Sequence, residues 1–219
     1  ASGYKGVVTV YNRDFESVLT IRLSSRYISD AVVTPDSRGV YLISPGQADG
    51  AFENTLLYYT ISSREEPTRT ISLGSNVVLS IRSAGRCWII GDESLMILDS
   101  SGVITASYDY KDQYLKMGSL QGDNYAALYL SPSSSGSTGT LVTVGSDGRA
   151  YGELALDGQT LAMAAQGKTI AVLTTNAIYT TDRNLTSYTT SPNQRGIRNL
   201  AVYADGSVAL VNSAAVSLY

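Results

Sequence analysis

The sequence predicts an all-β fold, a β-propeller of four-stranded antiparallel blades, most simply five of them. Three observations predict it. One apolar strand pattern returns six times: Gly6 to Tyr11, Thr55 to Tyr59, Ser94 to Leu98, Thr140 to Val144, Ala177 to Thr180 and Ala214 to Leu218. With Gly6, Asn54, Glu93, Gly139, Asn176 and Ser213 as markers, the steps are 48, 39, 46, 37 and 37 residues. Glycine- and aspartate-bearing turns cut every repeat into short runs of period-two alternation, with little helical pattern between them. Small residues recur in one strand type of each repeat: Ala31, Ser80, Gly118, Ala162, Ala164 and Ala201.

The repeat from Thr140 shows the grammar of the others. Thr140 to Val144 is a strand of the recurrent type, which the reading places toward the outside of a blade. Ser146-Asp147-Gly148 turns the chain, because glycine tolerates the positive φ that tight hairpins demand. Arg149 to Leu156 follows as a strand, and Asp157-Gly158-Gln159 leads into Thr160 to Ala165. Gly167-Lys168 turns into Thr169 to Thr174, after which the pattern restarts. Asp99 to Gly102 and Asp182-Arg183-Asn184 stand where Ser146-Asp147-Gly148 stands. Asp36 to Gly39, Gln121 to Asn124 and Asp205-Gly206 stand where Gly167-Lys168 stands.

The strand type that carries the small residues is expected innermost, where blades crowd the axis and large side chains have no room. The strands after it carry bulk, as in Val40-Tyr41-Leu42-Ile43 and Cys87-Trp88-Ile89-Ile90, and are expected to fill the space between blades. Counting each type predicts 21 strands, one more than five blades need. The two ends of the chain are expected to close the ring together, with one terminal strand in surplus. The whole chain, 1–219, is expected to form one domain. Two repeats are long at the same junction, through Ser44 to Glu53 and through Ser131 to Thr138. Both segments are expected as loops on one rim.

Composition removes several functions. Net charge is -3, with basic and acidic residues interspersed, which gives no electrostatic basis for nucleic-acid binding. No apolar run approaches the roughly 18 residues that a membrane-spanning helix needs, so no insertion within this segment is expected. Without histidine there is no Ser-His-Asp or Cys-His catalysis and no histidine-ligated metal. The single cysteine, Cys87, makes no internal disulfide and reads as a small core residue. No phosphate-binding loop or dinucleotide fingerprint is present, and Asp109-Tyr110-Lys111-Asp112 is too sparse for calcium. No cofactor or metal is expected. Tyrosine is abundant, 16 against 2 phenylalanines, and arginines outnumber lysines. That balance, with a first residue that is not methionine, suggests a trimmed exported bacterial surface domain.

The rhythm of small inner strand, Asp-Gly turn, apolar strand and recurrent strand resembles the β-propeller superfamily. It is similar to quinoprotein-type and six-bladed soluble propellers of exported bacterial proteins, and the resemblance covers essentially the whole chain. The sequence lacks a Trp-Asp dipeptide, a kelch double glycine, a Tyr-Trp-Thr-Asp element and a repeated aspartate box. The resemblance implies a fold and carries no function.

A propeller fold places its usual binding site in the axial funnel. The residues expected there are Asp30, Arg82, Lys116, Arg198 and Asn199, with Tyr27 and Tyr114 beside them. One acid and three bases suit an anionic ligand. Asp49, Phe52 and Glu53 are the binding candidates of the first long rim segment. The expected function is a non-catalytic, extracytoplasmic recognition or scaffold module that binds a protein or a cell-surface glycan. The alternatives are a glycan-cleaving hydrolase that uses Asp30 with Asp109 or Asp112, or a lectin without hydrolysis. Hydrolysis needs two carboxylates at a set separation, and only Asp30 falls on an expected inner strand.

Overall fold

The structure is a computed structural model that describes residues 6–24, 26–62, 66–122, 124–134, 137–193, 196–212 and 215–218. Asp123 of one expected turn, Ser135 and Gly136 of the second long segment, and Ser213 and Ala214 of the last recurrent pattern lie outside the described residues. Among the described residues the elements are 21 strands, the number the repeat grammar predicts.

The chain divides into two compact units, Ala1–Thr105 and Ala106–Tyr219. In the first, β1 (Val7–Tyr11) pairs with β2 (Ser17–Arg22) as a two-stranded sheet. Next come β3 (Asp30–Val33), β4 (Gly39–Ala48), β5 (Ala51–Thr60) and β6 (Arg69–Ser72), a four-stranded sheet in chain order. A second four-stranded sheet holds β7 (Val78–Ala84), β8 (Arg86–Gly91), β9 (Ser94–Leu98) and β10 (Ile104–Asp109), and the unit boundary falls within β10. The second unit holds β11 (Tyr114–Ser119), β12 (Tyr125–Ser131), β13 (Gly139–Gly145) and β14 (Ala150–Leu156) as one sheet. Another comprises β15 (Thr160–Gln166), β16 (Thr169–Thr174), β17 (Ala177–Asp182) and β18 (Tyr188–Pro192). The last is three-stranded, β19 (Asn199–Val202), β20 (Val208–Val211) and β21 (Val216–Leu218).

The recurrent pattern occupies the third strand of each full sheet. That corrects its expected outer position. β13, for example, pairs with β12 on one side and β14 on the other. The reason is burial: Leu141 to Gly145 is buried on both faces, as a strand in a sheet interior must be. The true outer strands are the fourth ones, and β10 and β14 alternate exposed with half-buried residues over most of their length.

The middle strands serve two cores at once. Alternation sends Val40 and Leu42 of β4 into a core with Val8, Leu19 and Ile21. Tyr41 and Ile43 of the same strand go the other way, into a core with Ile81, Ile89 and Leu98. In the second unit, Ile170 and Val172 of β16 pack with Ala127 and Leu141, while Ala171 and Leu173 pack with Val208 and Leu210. Cys87 is one of these core residues and is fully buried, which pushes its thiol up to about 12. It is a packing residue, as its alternating neighbours suggest.

The first long segment is an extended hairpin where the sequence suggests a loop. β4 and β5 are ten residues each, and their ladder continues through Pro45 opposite Asn54 to Ala48 opposite Ala51. Asp49 and Gly50 close it with φ of 52° and 81°, the two positive values of a type I′ turn. Proline and glycine at positions 45 and 46 disguise the strand in the sequence.

Aspartates fold the short turns onto themselves. Asp36 Oδ1 accepts bonds from Thr34 Oγ1 at 2.6 Å and the Arg38 amide at 3.1 Å. Asp99 Oδ1 accepts from the Ser101 amide and hydroxyl and from the Val103 amide. Asp205 Oδ1 does the same with Ser207. These bonds favour the ionised form and lower all three carboxyls below their usual value of 3.8. A depressed folded pKa contributes stability above the unfolded value, and that stability is lost as pH falls through the folded one. The melting temperature is therefore expected to drop steeply as pH is lowered from 5 toward 2, about in that window. Replacing Asp36, Asp99 and Asp205 together with Asn should flatten the drop, as read by calorimetry across that range.

Neighbouring sheets approach closely enough to exclude a single methyl. A Cβ placed on Gly152 of β14 would sit 2.1 Å from the Asn184 carbonyl oxygen in the turn between β17 and β18. Gly152→Ala is expected to cost about 1–3 kcal/mol through forced separation of the two sheets. Urea unfolding measures the loss, which should exceed that of Gly46→Ala, where an added Cβ would meet nothing nearer than 3.9 Å.

Candidate functional site

Asp30 opens β3 and is half-buried. Its Oδ1 accepts from the Ala31 amide at 2.9 Å and its Oδ2 from the Ile81 amide of β7 at 3.0 Å. Arg82 Nη1 stands 3.5 Å from the same Oδ2 and also donates to the Ile81 carbonyl. Asp30 and Arg82 are thus brought together. Their joint task is to tie the first strands of two adjacent sheets.

The same device recurs in the second unit without a charge. The Ser119 hydroxyl of β11 accepts from the Ala165 amide of β15 at 3.2 Å and donates to the Ala165 carbonyl at 3.5 Å. Sequence reasoning passes over Ser119, because a serine at the end of a short strand carries no signal of its partner. Contact between first strands of neighbouring sheets, β3 with β7 and β11 with β15 and β15 with β19, fits the innermost position assigned to them.

The remaining funnel candidates have local roles or face solvent. Lys116 Nζ donates to the Ser134 carbonyl and so anchors the second long segment to β11. The Asn199 side chain accepts from the Leu200 amide, and the Arg198 amide donates to the Val211 carbonyl. Tyr27 and Tyr114 are about half exposed, at 57% and 49%. Tyr27, Asp30 and Arg82 belong to the first unit, and Tyr114, Lys116, Arg198 and Asn199 to the second.

A groove of about 460 Å³ runs beside Asp30 between β1 and β3. Its walls are Val8, Val10, Ile28, Ala31 and Val32, and Asp30 is the carboxylate among its lining residues. Two-carboxylate hydrolysis gains no second acid there. Asp109 instead caps its own turn by accepting from the Lys111 amide, and Asp112 sits at a positive φ of 63° in that turn. Among the described residues no three His, Cys, Asp or Glu side chains group as metal ligands would.

The rim candidates sit on the extended hairpin. Phe52 is 44% exposed and faces Gln47 across the ladder. Glu53 accepts a hydrogen bond from the Ser72 hydroxyl, which holds the hairpin's base against β6. Asp49 forms the turn. The three were legible as neighbours in sequence, and the hairpin gathers them around one turn.

No protein-family model and no curated protein matches the sequence. Solved structures match its fold. The Neurospora crassa Pan2 WD40 domain superposes with a TM-score of 0.62 at 11% identity, over 98% of this chain and 69% of that one. Kluyvelomyces marxianus Hsv2 gives 0.59 at 13% identity, over 100% and 75%. BBS1N, solved in complex with ARL6DN, gives 0.55 at 13% identity, over 99% and 72%. At such identities the likeness establishes the β-propeller fold and nothing beyond it.

Asp30→Ala should leave the Ile81 amide without its acceptor and cost about 1–3 kcal/mol in urea unfolding. Asp30→Asn keeps an oxygen facing that amide and should cost less than half as much.

Proposed function

We propose that this chain is a non-catalytic recognition scaffold that binds another protein. The observation that carries the reading is the β4–β5 hairpin. Its residues 45–53 extend past the ends of both neighbouring strands, since β3 pairs only as far as Ile43 and β6 only from Thr55. The projection is closed by a two-residue turn and presents Phe52 to solvent. A preformed aromatic projection loses little entropy on binding, which is how rigid interfaces gain affinity. The fold supports the same reading: of the similar structures, BBS1N was solved with a bound protein. Aspartates committed to turns and to the β3–β7 tie leave the described site without a free carboxylate pair.

The same proposal places the module outside the cytoplasm. Its support is compositional, in the tyrosine-rich, lysine-poor sequence and in a lone thiol that is buried away from oxidants. A cell-surface glycan is the competing ligand, because exposed tyrosines stack on sugars as well as on peptides.

A photo-cross-linking residue at position 52 should yield one discrete protein adduct in cells, and the same group at Lys168 should not. Phe52→Ala should then weaken binding to that identified protein by about tenfold, or 1.4 kcal/mol. Binding to a glycan array that survives Phe52→Ala, or turnover of a polysaccharide by the purified chain, would overturn the proposal.

A further inference from the structure

β1 keeps one edge open beside the groove that runs between it and β3. The Leu23 amide donates to the Gly6 carbonyl, and Val8 stands opposite Ile21. Hydrogen-bonded pairs alternate along an antiparallel ladder, so Gly6, Val8 and Val10 bond to β2, while the N–H and C=O of Val7 and Thr9 point away from it. Among the described residues no other strand joins this sheet. The side chains beside the open edge are apolar. Val8, Val10, Ile28, Ala31 and Val40 line the groove and pack in one core, so they share one floor. Val33 also lines it, on the same face of β3 as Ala31, and is 38% exposed. Asp30 alternates to the other face, and its two oxygens accept from the Ala31 and Ile81 amides.

The full sheets show what fits such an edge. Each pairs its recurrent strand antiparallel with the strand before it, as β13 pairs with β12 and β17 with β16. In the second unit, the first two strands of one sheet also cover the first two of the next. Ala162, Ala171 and Leu173 of β15 and β16 pack on Leu200, Val208 and Leu210 of β19 and β20. β3 and β4 meet instead Val8, Leu19 and Ile21, from a sheet that holds a recurrent strand and the strand after it. Amide and carbonyl groups that repeat at every second residue are matched by the backbone of another extended polypeptide. Among the described residues this chain has no such strand to spare: β4, β8, β12, β16 and β20 each have a strand on both sides. A second copy's β1 would bring Val8 and Val10 already packed in its own core. The strand that fits comes from a different protein.

We propose that the β1 edge accepts an extended segment of a partner protein, which adds antiparallel to β1, bonds to the backbone of Val7 and Thr9, and lays apolar side chains from alternate residues over Val10, Ala31 and Val33. Residues opposite each other across an antiparallel pair point to the same side. The apolar residues of the segment therefore stand opposite Val8 and Val10, and the residues between them make the hydrogen bonds. The inference rests on the protein-recognition reading and adds the chemistry of one contact. It does not involve Phe52, so the two can fail separately.

The test uses the full chain and a labelled synthetic peptide, Lys-Ser-Val-Ser-Val-Ser-Val-Ser-Lys with blocked ends, followed by fluorescence anisotropy. Binding should saturate below about 1 mM and should slow exchange of the Val7 and Thr9 amides with solvent. N-methylation of the two middle serines keeps every side chain and removes two backbone donors, so it should weaken binding by about tenfold or more. Thr9→Pro removes an outward donor of β1 without breaking the β1–β2 ladder and should weaken binding as much. Val33→Asp puts a charge in the floor at a partly exposed position and should do the same. Both variants should keep a melting temperature near that of the wild type. No saturable binding, or binding indifferent to N-methylation and to both substitutions, would overturn the proposal. Val7 and Thr9 amides already protected in the free chain would show the edge filled by the chain itself, and a dimer that the peptide dissociates would show a second copy there; either overturns it. Such a result alongside an intact Phe52 cross-link would remove the β1 contact and leave the recognition reading standing.

Discussion

The structure depends on strands that are oily on both faces. In β4, Val40 and Leu42 belong to one core and Tyr41 and Ile43 to another. No single sheet can hide both sides of such a strand from water. Within each unit, consecutive sheets therefore cover one another's faces and follow one another in chain order for that reason. The short connections enforce the same arrangement, since a hairpin meander keeps consecutive strands adjacent.

Packing alone would let the sheets slide. Polar ties from side chain to backbone fix their spacing. Asp30 reaches the Ile81 amide, Ser119 reaches Ala165, and the Tyr41 hydroxyl donates to the Asp99 carbonyl at 2.8 Å. In the second unit the Thr143 hydroxyl donates to the Arg183 carbonyl. Each tie satisfies a main-chain group that strand pairing leaves over, which is where a hydrogen bond contributes most. The carboxylate that the sequence marks as the best catalytic candidate is therefore occupied by architecture.

The strands were legible because period-two alternation and turn residues are local signals. Ser94 to Leu98 is read from sequence with both boundaries correct. Lateral position was harder. The recurrent pattern looked peripheral because it restarts each repeat, yet its double-sided burial puts it inside the sheet. The hairpin at residues 44–53 was missed in part because Pro45 and Gly46 weigh against a strand, although Asp49-Gly50 is a type I′ signal in plain view. The site was less legible still. Asp30 finds its partner amide 51 residues away, and Ser119 meets Ala165 of the next sheet, 46 residues on, which nothing beside either residue in the sequence announces.

Burial divides β4 into a committed middle and an exposed far end. Its middle, Gly39 to Ser44, is fully buried and committed to two cores, so a change of shape there would disturb both. Its far end, Pro45 to Ala48, carries no such burden and leads into the hairpin that holds Phe52. Sequence can vary at that end at little cost to the fold, while the buried middle fixes where the hairpin leaves the sheet. The ladder runs unbroken from that middle to Ala48 opposite Ala51, so the direction of the hairpin is tied to both cores.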